Sequence, residues 1–309
     1  MPANLKIFLF FILSTNITLA QIIPSFQGVY DKKSSSTSTS NYALDFDGSN
    51  DHITTNGGTI SSAWSVEVWF KKSQNKSAHN FTNKANSNNS GTWSLRLGQW
   101  NNRNKIGITK YGTKDYYIDN STTDTDIDEW EHVAWTYESN RVRIYVNGEY
   151  IGNTFRSYQS SSTTNNLSAT LYWNIIGKSS NTIDGEIDEL RIWDDNRTQA
   201  EIKANMFIEL EGDEANLIAY YKMSDGSGTT LTDNASAGNY DGTMTNMTTE
   251  DWVTSYAPIA TLNSGYKTDI EGLWSESGTS ASQDSDGLTM TVSSTLSEEN
   301  FAVFGNNNT

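Results

Sequence analysis

The chain has no cysteine. Disulfides, thiol nucleophiles and cysteine-based zinc sites are therefore excluded, and stability rests on the apolar core, with a bound cation as a possible supplement. Histidine is scarce as well. His52, His79 and His132 are scattered, without the H-x-x-x-H spacing that places two ligands on one helical face, so a zinc hydrolase is not expected. Proline occurs three times. Positive charge is in deficit: 21 lysines and arginines face 37 aspartates and glutamates, a formal net charge of −16. A field of that sign repels phosphate backbones and anionic lipid, so nucleic acid and membrane surfaces are poor partners. After the N-terminus no apolar run approaches the ~20 residues needed to span a bilayer, and membrane insertion is not expected.

Aromatic residues, by contrast, make up 12% of the 309 residues, and Gly, Ser, Thr and Asn crowd the stretches between them. That composition favours a β-rich sandwich with many turns. A sandwich of about 200–250 residues is an ordinary size, so length does not demand two full domains. Residues 1–20 read as a secretory signal peptide: Lys6 is the positive end, Ile7 to Leu13 the apolar run, and Thr18-Leu19-Ala20 a small-residue cleavage site. The expected location is extracellular or at the cell surface. Residues 21–40 end in a Ser/Thr run that cannot bury a face and read as a linker.

From Asn41 onward the pattern is alternating. Tyr42, Leu44 and Phe46 share one face, as do Val66, Val68 and Phe70. Asn147-Gly148, between Arg141–Val146 and Glu149-Tyr150-Ile151, predicts a hairpin with a type I′ turn. In the stretch from Ile183 to Trp193, Leu190 and Ile192 point one way, Arg191 and Trp193 the other. Then the period changes. Thr198 and Glu201 form a capping box, and Ile202, Met206, Phe207 and Leu210 line one side of the helix it opens. Leu217 to Met223 predicts a further strand, and residues 258–265 read as a linker. Residues 266–309 are again β-patterned, through Leu288 to Val292 and Phe301 to Phe304. That is too short for a sandwich and predicts the start of a second module in a longer, fragmentary chain.

Three ordered motifs carry a family resemblance: Ala43 to Ile53, the pair Trp130 to Trp135 and Val142 to Gly148, and Ile183 to Ile202. They resemble the first strand, central hairpin and closing strand–helix of LamG-like (laminin-G/concanavalin A-like) jelly-roll domains of secreted bacterial proteins. The resemblance covers residues 41–257 and implies a two-sheet antiparallel jelly-roll sandwich with one short C-terminal helix. This fold hosts lectins, enzymes and passive adhesion modules, so the site must decide the function.

Glu186-Ile187-Asp188 resembles the opening of a glycosidase's catalytic strand, whose pattern is Glu-x-Asp-x-Glu or Glu-x-Asp-x-x-Glu. Here the third carboxylate is replaced by Leu190 in one spacing and Arg191 in the other. Strict alternation puts Glu189 on the face opposite Glu186, where it cannot substitute. Retaining chemistry needs two working carboxyls, so the chain is expected not to be an enzyme. Asp47, Asp51, Asp184 and Asp188 are candidate ligands for a structural Ca2+, converging if first and last strands pair. The competing reading is that Asp47 and Asp51 merely form a turn. Trp100, Arg103, Tyr111, Tyr116, Tyr117 and Tyr158 lie in or beside loops and are the candidate ligand-binding residues, because sugar rings stack on aromatic faces and polar neighbours hold the hydroxyls. The expected function is a non-catalytic extracellular module binding a glycan or a protein ligand. The alternatives are a structural spacer without a ligand, and a glycoside hydrolase.

Overall fold

The computed structural model describes residues 41–75, 78–101, 105–119, 126–178 and 181–259, together with the strands Thr279–Asp284 and Gly287–Val292. The expected signal peptide, the 21–40 linker, most of the 258–265 linker, Arg103 and Phe301 to Phe304 lie outside the described residues. Thr279–Asp284 and Gly287–Val292 pair as an antiparallel hairpin in a unit separate from the main domain. No helix among the described residues is long and apolar enough to cross a membrane.

The main domain is a jelly-roll-like β sandwich of several antiparallel sheets, as the alternation implies. The larger sheet has eight strands, in the order Glu149–Gly152, Arg141–Val146, Trp130–Glu138, Trp64–Lys72, Asp184–Trp193, Tyr42–Asp47 and Trp252–Thr254, with Leu217–Tyr221 also paired to Asp184–Trp193. A six-stranded sheet runs Thr163–Thr164, Phe155–Ser157, Lys114–Tyr117, Gly107–Lys110, Trp93–Gly98 and His79–Asn80. A five-stranded sheet, built on Thr230–Leu231, Gly242–Thr245, His52–Thr55, Ile175–Gly177 and Thr82–Asn83, completes the enclosure.

The inward faces meet in one apolar core. Val66, Val68, Phe70 and Val133 of the larger sheet share it with Leu95, Leu97 and Ile108 of the six-stranded sheet. Trp135 joins the layers: its ring lies 5.8 Å from that of Phe81, and its Nε1–H donates to the Gly107 carbonyl at 3.1 Å. The Asn147-Gly148 turn forms as predicted, with φ of 49° and 74°.

Asp184–Trp193 is the central strand. One edge pairs with Trp64–Lys72; the other is shared, its first half with Tyr42–Asp47 and its second with Leu217–Tyr221. A β-bulge marks the change of partner. Asp188 lies opposite Trp69 and Arg191 opposite Glu67, so three steps on one strand match two on the other. Glu189, at the bulge, sits in the left-handed region at φ 53°, which is uncommon for a residue with a Cβ. Ile187 and Leu190 both enter the core, so the two residues between them are turned off it. This corrects the expectation from alternation: the extra residue carries Glu189 to the outer face, where its carboxylate meets Arg191 at 2.6 Å and accepts from the Tyr220 hydroxyl at 2.6 Å.

The predicted helix forms at Gln199–Asn205 with its capping box complete, and Ile202 packs on Ala134 and Tyr145. A seven-residue helix cannot satisfy its own last carbonyls. Side chains of the sheet beneath do so: Arg191 donates to Asn205 O at 2.8 Å and to Ile208 O, and Trp69 Nε1–H donates to Met206 O at 2.7 Å. Cationic donors at a helix C-terminus also favour its dipole. Replacing Arg191 by Met strands the buried Glu189 charge, and the expected loss is about 3–5 kcal/mol of unfolding free energy. Adding Glu189→Gln to that variant restores part of the loss. Urea denaturation of both variants checks this, and an Arg191→Met chain as stable as wild type would contradict it.

Candidate functional site

The outward face of the six-stranded sheet collects the polar side chains. With Leu95, Leu97 and Ile108 turned into the core, alternation directs Ser94, Arg96 and Thr109 outward. Register then places Asp115 beside Thr109, and Tyr117 beside Gly107 on the row of Arg96. Gly107 is required by close approach: a Cβ there would collide with the Tyr116 carbonyl, and the Gln99 side chain lies against the same spot. Gln99 donates to Tyr116 O at 2.9 Å, and its own oxygen accepts from Trp100 N at 2.7 Å.

From there a hydrogen-bonded circuit runs across the face. The Thr109 hydroxyl lies 3.2 Å from Gln99 Oε1 and donates to Asp115 Oδ1 at 2.7 Å. Asp115 Oδ2 accepts from Gln159 Nε2 at 2.5 Å, and its backbone N–H donates to Gln159 Oε1 at 2.9 Å. Tyr158 N–H donates to the Asp115 carbonyl at 3.0 Å. The circuit closes where Asn101 Nδ2 donates to the Tyr158 hydroxyl at 2.7 Å. Trp100 is 40% exposed and Tyr158 is 43% exposed, and they are among the few large hydrophobic side chains left open to solvent. The circuit fixes the backbone beneath both rings.

The other candidate ligand residues are placed differently. Tyr116 faces the core side and stacks on Trp93, with ring centres 6.2 Å apart. Tyr117 is buried on the outer row. Tyr111 is also buried: its hydroxyl donates to Asn83 Oδ1 at 2.8 Å, and Arg96 Cζ and Lys178 Nζ each lie 5.3 Å from its ring centre. The structure thus brings Trp100 and Tyr158 together, through Asn101. Gln99, Asp115, Gln159 and Arg96 were not singled out from sequence. The available signal was the polar residue at alternate positions of an otherwise apolar strand.

The carboxylates of the closing strand are all engaged. Glu186 pairs with Lys71 at 2.9 Å. Asp188 is buried, accepting from the Ser255 hydroxyl at 2.5 Å and from Glu189 N–H at 2.8 Å. Burial, then the neighbouring Glu189, pushes its carboxyl well up. Nearby, burial alone would raise Glu67; His132 at 3.3 Å, with Arg191 and Arg197, offsets this and holds it below its ordinary value.

First and last strands do pair, and Asp47 lies opposite Asp184. The four candidate calcium ligands nevertheless do not converge. Asp188 is four strand positions from Asp184, about 13 Å, and is sealed under Ser255. Asp51 Oδ2 accepts from Asp47 N–H at 2.9 Å, Asp47 Oδ1 accepts from Ser49 N–H at 2.7 Å, and Asp184 accepts from Gln74 at 2.6 Å. Those bonds make Asp47 and Asp51 turn formers. Among the described residues no group of three or more His, Cys, Asp or Glu is placed to hold a metal ion.

Comparison with known proteins places this geometry in a wider setting. The family profile described as the concanavalin A-like lectin/glucanases superfamily matches residues 47–203. No curated protein matches the chain. Among solved structures, a Bacteroides ovatus protein described as a "putative carbohydrate binding protein" is similar at 22% identity and a TM-score of 0.52, over 71% of this chain. This chain spans 61% of that protein's length. Domain 4 of an extracellular arabinanase from Geobacillus stearothermophilus, in complex with arabinotriose, aligns at 19% identity over 56% of this chain and 82% of its own, with a TM-score of 0.38. A Limulus polyphemus pentraxin aligns at 15% identity over 54% and 82%, also at 0.38.

Burial, chiefly, pushes Asp51 up to about 6 and Glu131 up to about 7. A raised carboxyl binds its proton earlier in the folded chain than in the unfolded one. Its contribution to stability is therefore full below the unfolded value and is lost as pH rises through the folded value. Tm is expected to climb as pH falls from about 8 to about 5. Asp51→Asn, whose oxygen still accepts from Asp47, raises Tm at pH 8 by roughly 2–4 °C, the equivalent of about 1 kcal/mol. Scanning calorimetry across that range checks both, and a Tm that rises with pH would contradict them. Because Asp47, Asp51, Asp184 and Asp188 already accept from Ser49, Asp47, Gln74 and Ser255, added calcium is expected to leave Tm unchanged; a calcium-dependent rise reversed by chelation would show otherwise.

Proposed function

The chain belongs to the concanavalin A-like lectin/glucanase superfamily, and on that premise we propose that it is a non-catalytic extracellular module that binds carbohydrate on the outer face of its six-stranded sheet. The observation that carries this reading is the pair of exposed rings, Trp100 and Tyr158, held rigidly by the circuit through Asn101, Gln99 and Asp115. A sugar presents an apolar face to such rings and hydroxyls to the amides between them. Preformed aromatic surface costs little ordering on binding.

Catalysis is disfavoured by the fate of the acidic residues. Glu186 is neutralised by Lys71, and Asp188 and Glu189 are buried in the sheet's outer layer. None of the three is free to protonate a glycosidic oxygen or to attack an anomeric carbon. The likeness to the Bacteroides ovatus protein supports the binding role. Secretion and adhesion or substrate targeting within a longer surface protein complete the proposal, and they rest on the N-terminal sequence pattern.

A panel of neutral and acidic oligosaccharides, titrated calorimetrically, tests the reading. Binding is expected, with Trp100→Ala and Tyr158→Ala each weakening it about tenfold, the equivalent of ~1.4 kcal/mol. Silence across the panel would leave the domain a spacer. Binding that survives both substitutions together would move the site elsewhere.

A further inference from the structure

Resting on the glycan-binding reading above, we propose that Arg96 forms an anion subsite on this sheet face, receiving the carboxylate or sulfate of an acidic sugar residue. Arg96 is 5% exposed, and its buried Nε has no hydrogen-bond partner among the described residues. Its guanidinium carbon lies 5.3 Å from the ring centre of Tyr111. A guanidinium carries five N–H donors, and burying it without an acceptor is costly. Burial lowers its pKa, against the opposing pull of Tyr111 and Asp115. Asp115 does not close on it as an ion pair, since both carboxylate oxygens are engaged by Thr109 and Gln159. Lys178 lies against the same ring, and its own pKa is lowered by burial and then by Arg96. Two cations thus lie against one aromatic ring in a chain of net charge −16.

Elsewhere among the described residues Lys71, Arg156, Arg191, Arg197, Lys203 and Lys222 each meet a carboxylate within 4.0 Å. The planar fork matches an oxyanion presenting two oxygens, as carboxylate and sulfate both do. Three strand spacings, about 14 Å, separate the strand of Arg96 from the one leading into Tyr158, a span that a short oligosaccharide covers.

The test is calorimetric titration of the full chain with oligogalacturonate, a sulfated galactan and neutral galactan, for wild type, Arg96→Gln and Arg96→Lys. Wild type is expected to prefer one of the acidic sugars, and to lose the preference in about 1 M salt, where charges more than ~3 Å apart are screened. Arg96→Gln is expected to weaken acidic binding by about 10–100-fold and to leave neutral binding unchanged. Arg96→Lys, lacking the fork, recovers part of the loss. Should Arg96→Gln fail to fold, Arg96→Lys and the salt dependence decide. Equal binding of neutral and acidic sugars, untouched by either variant, overturns the subsite and leaves the glycan reading standing. Binding of none of the three overturns both. A Tm rise with inorganic sulfate alone, lost in Arg96→Gln and unaccompanied by sugar binding, overturns the sugar assignment and makes a free anion the occupant.

Discussion

A buried guanidinium organises the larger sheet. Arg191 leaves the central strand just after its bulge, holds the Glu189 carboxylate on one side and reaches carbonyls at the end of the Gln199–Asn205 helix on the other. Desolvating that charge is expensive, and Coulomb attraction to one carboxylate repays it only when the remaining donors are also met. The helix end meets those on Nη1 and Nη2, leaving Nε without a hydrogen-bond partner among the described residues, and in return has its orphan carbonyls satisfied. The bulge, the helix and the ion pair are therefore one device. Without the bulge, Glu189 would face the apolar core; without the helix, Arg191 would lack acceptors.

That device explains why the two outer faces differ. The face under the helix is closed, with Glu189 paired to Arg191 and Glu67 buried 3.3 Å from His132. Among the described residues no helix covers the face of the six-stranded sheet. It is roofed by its own loop residues, Gln99, Trp100 and Asn101 from one side and Tyr158 and Gln159 from the other, tied through Asp115. Hydrogen bonds between loops fix position without filling the surface, so aromatic rings stay open above a rigid floor. Rigid floor and open rings are the combination that recognition needs and that a packed helix forecloses.

What the sequence disclosed and what it hid divide by range. The capping box at Thr198 and Glu201, the Asn147-Gly148 turn and the alternation of Leu190 and Ile192 are set by residues within a few positions of each other, and each appears in the structure as read. The bulge is not local. It arises where the central strand exchanges Tyr42–Asp47 for Leu217–Tyr221 as its neighbour, a partner encoded some thirty residues away, and so Glu189 was assigned to the wrong face. For the same reason Tyr111 looks like a loop aromatic in sequence but is buried between cations supplied by Arg96 and Lys178. Trp100 and Tyr158 were legible as loop aromatics; their meeting through Asn101 was not.

The acidic residues of the closing strand follow from the same exchange of neighbours. Glu-x-Asp at Glu186 and Asp188 has the look of chemistry, yet chemistry needs carboxylates that share a solvent-filled cleft with room for a substrate. Here Glu186 stands beside Lys71 on the outer face, and Asp188 fills the gap between the two neighbouring strands, where Ser255 closes over it. A carboxyl placed there stabilises a junction: it accepts the backbone N–H that the bulge frees at Glu189 and a hydroxyl from the chain that crosses the seam. On the proposed reading this strand carries the domain's closure, and the second sheet is the face that engages the ligand.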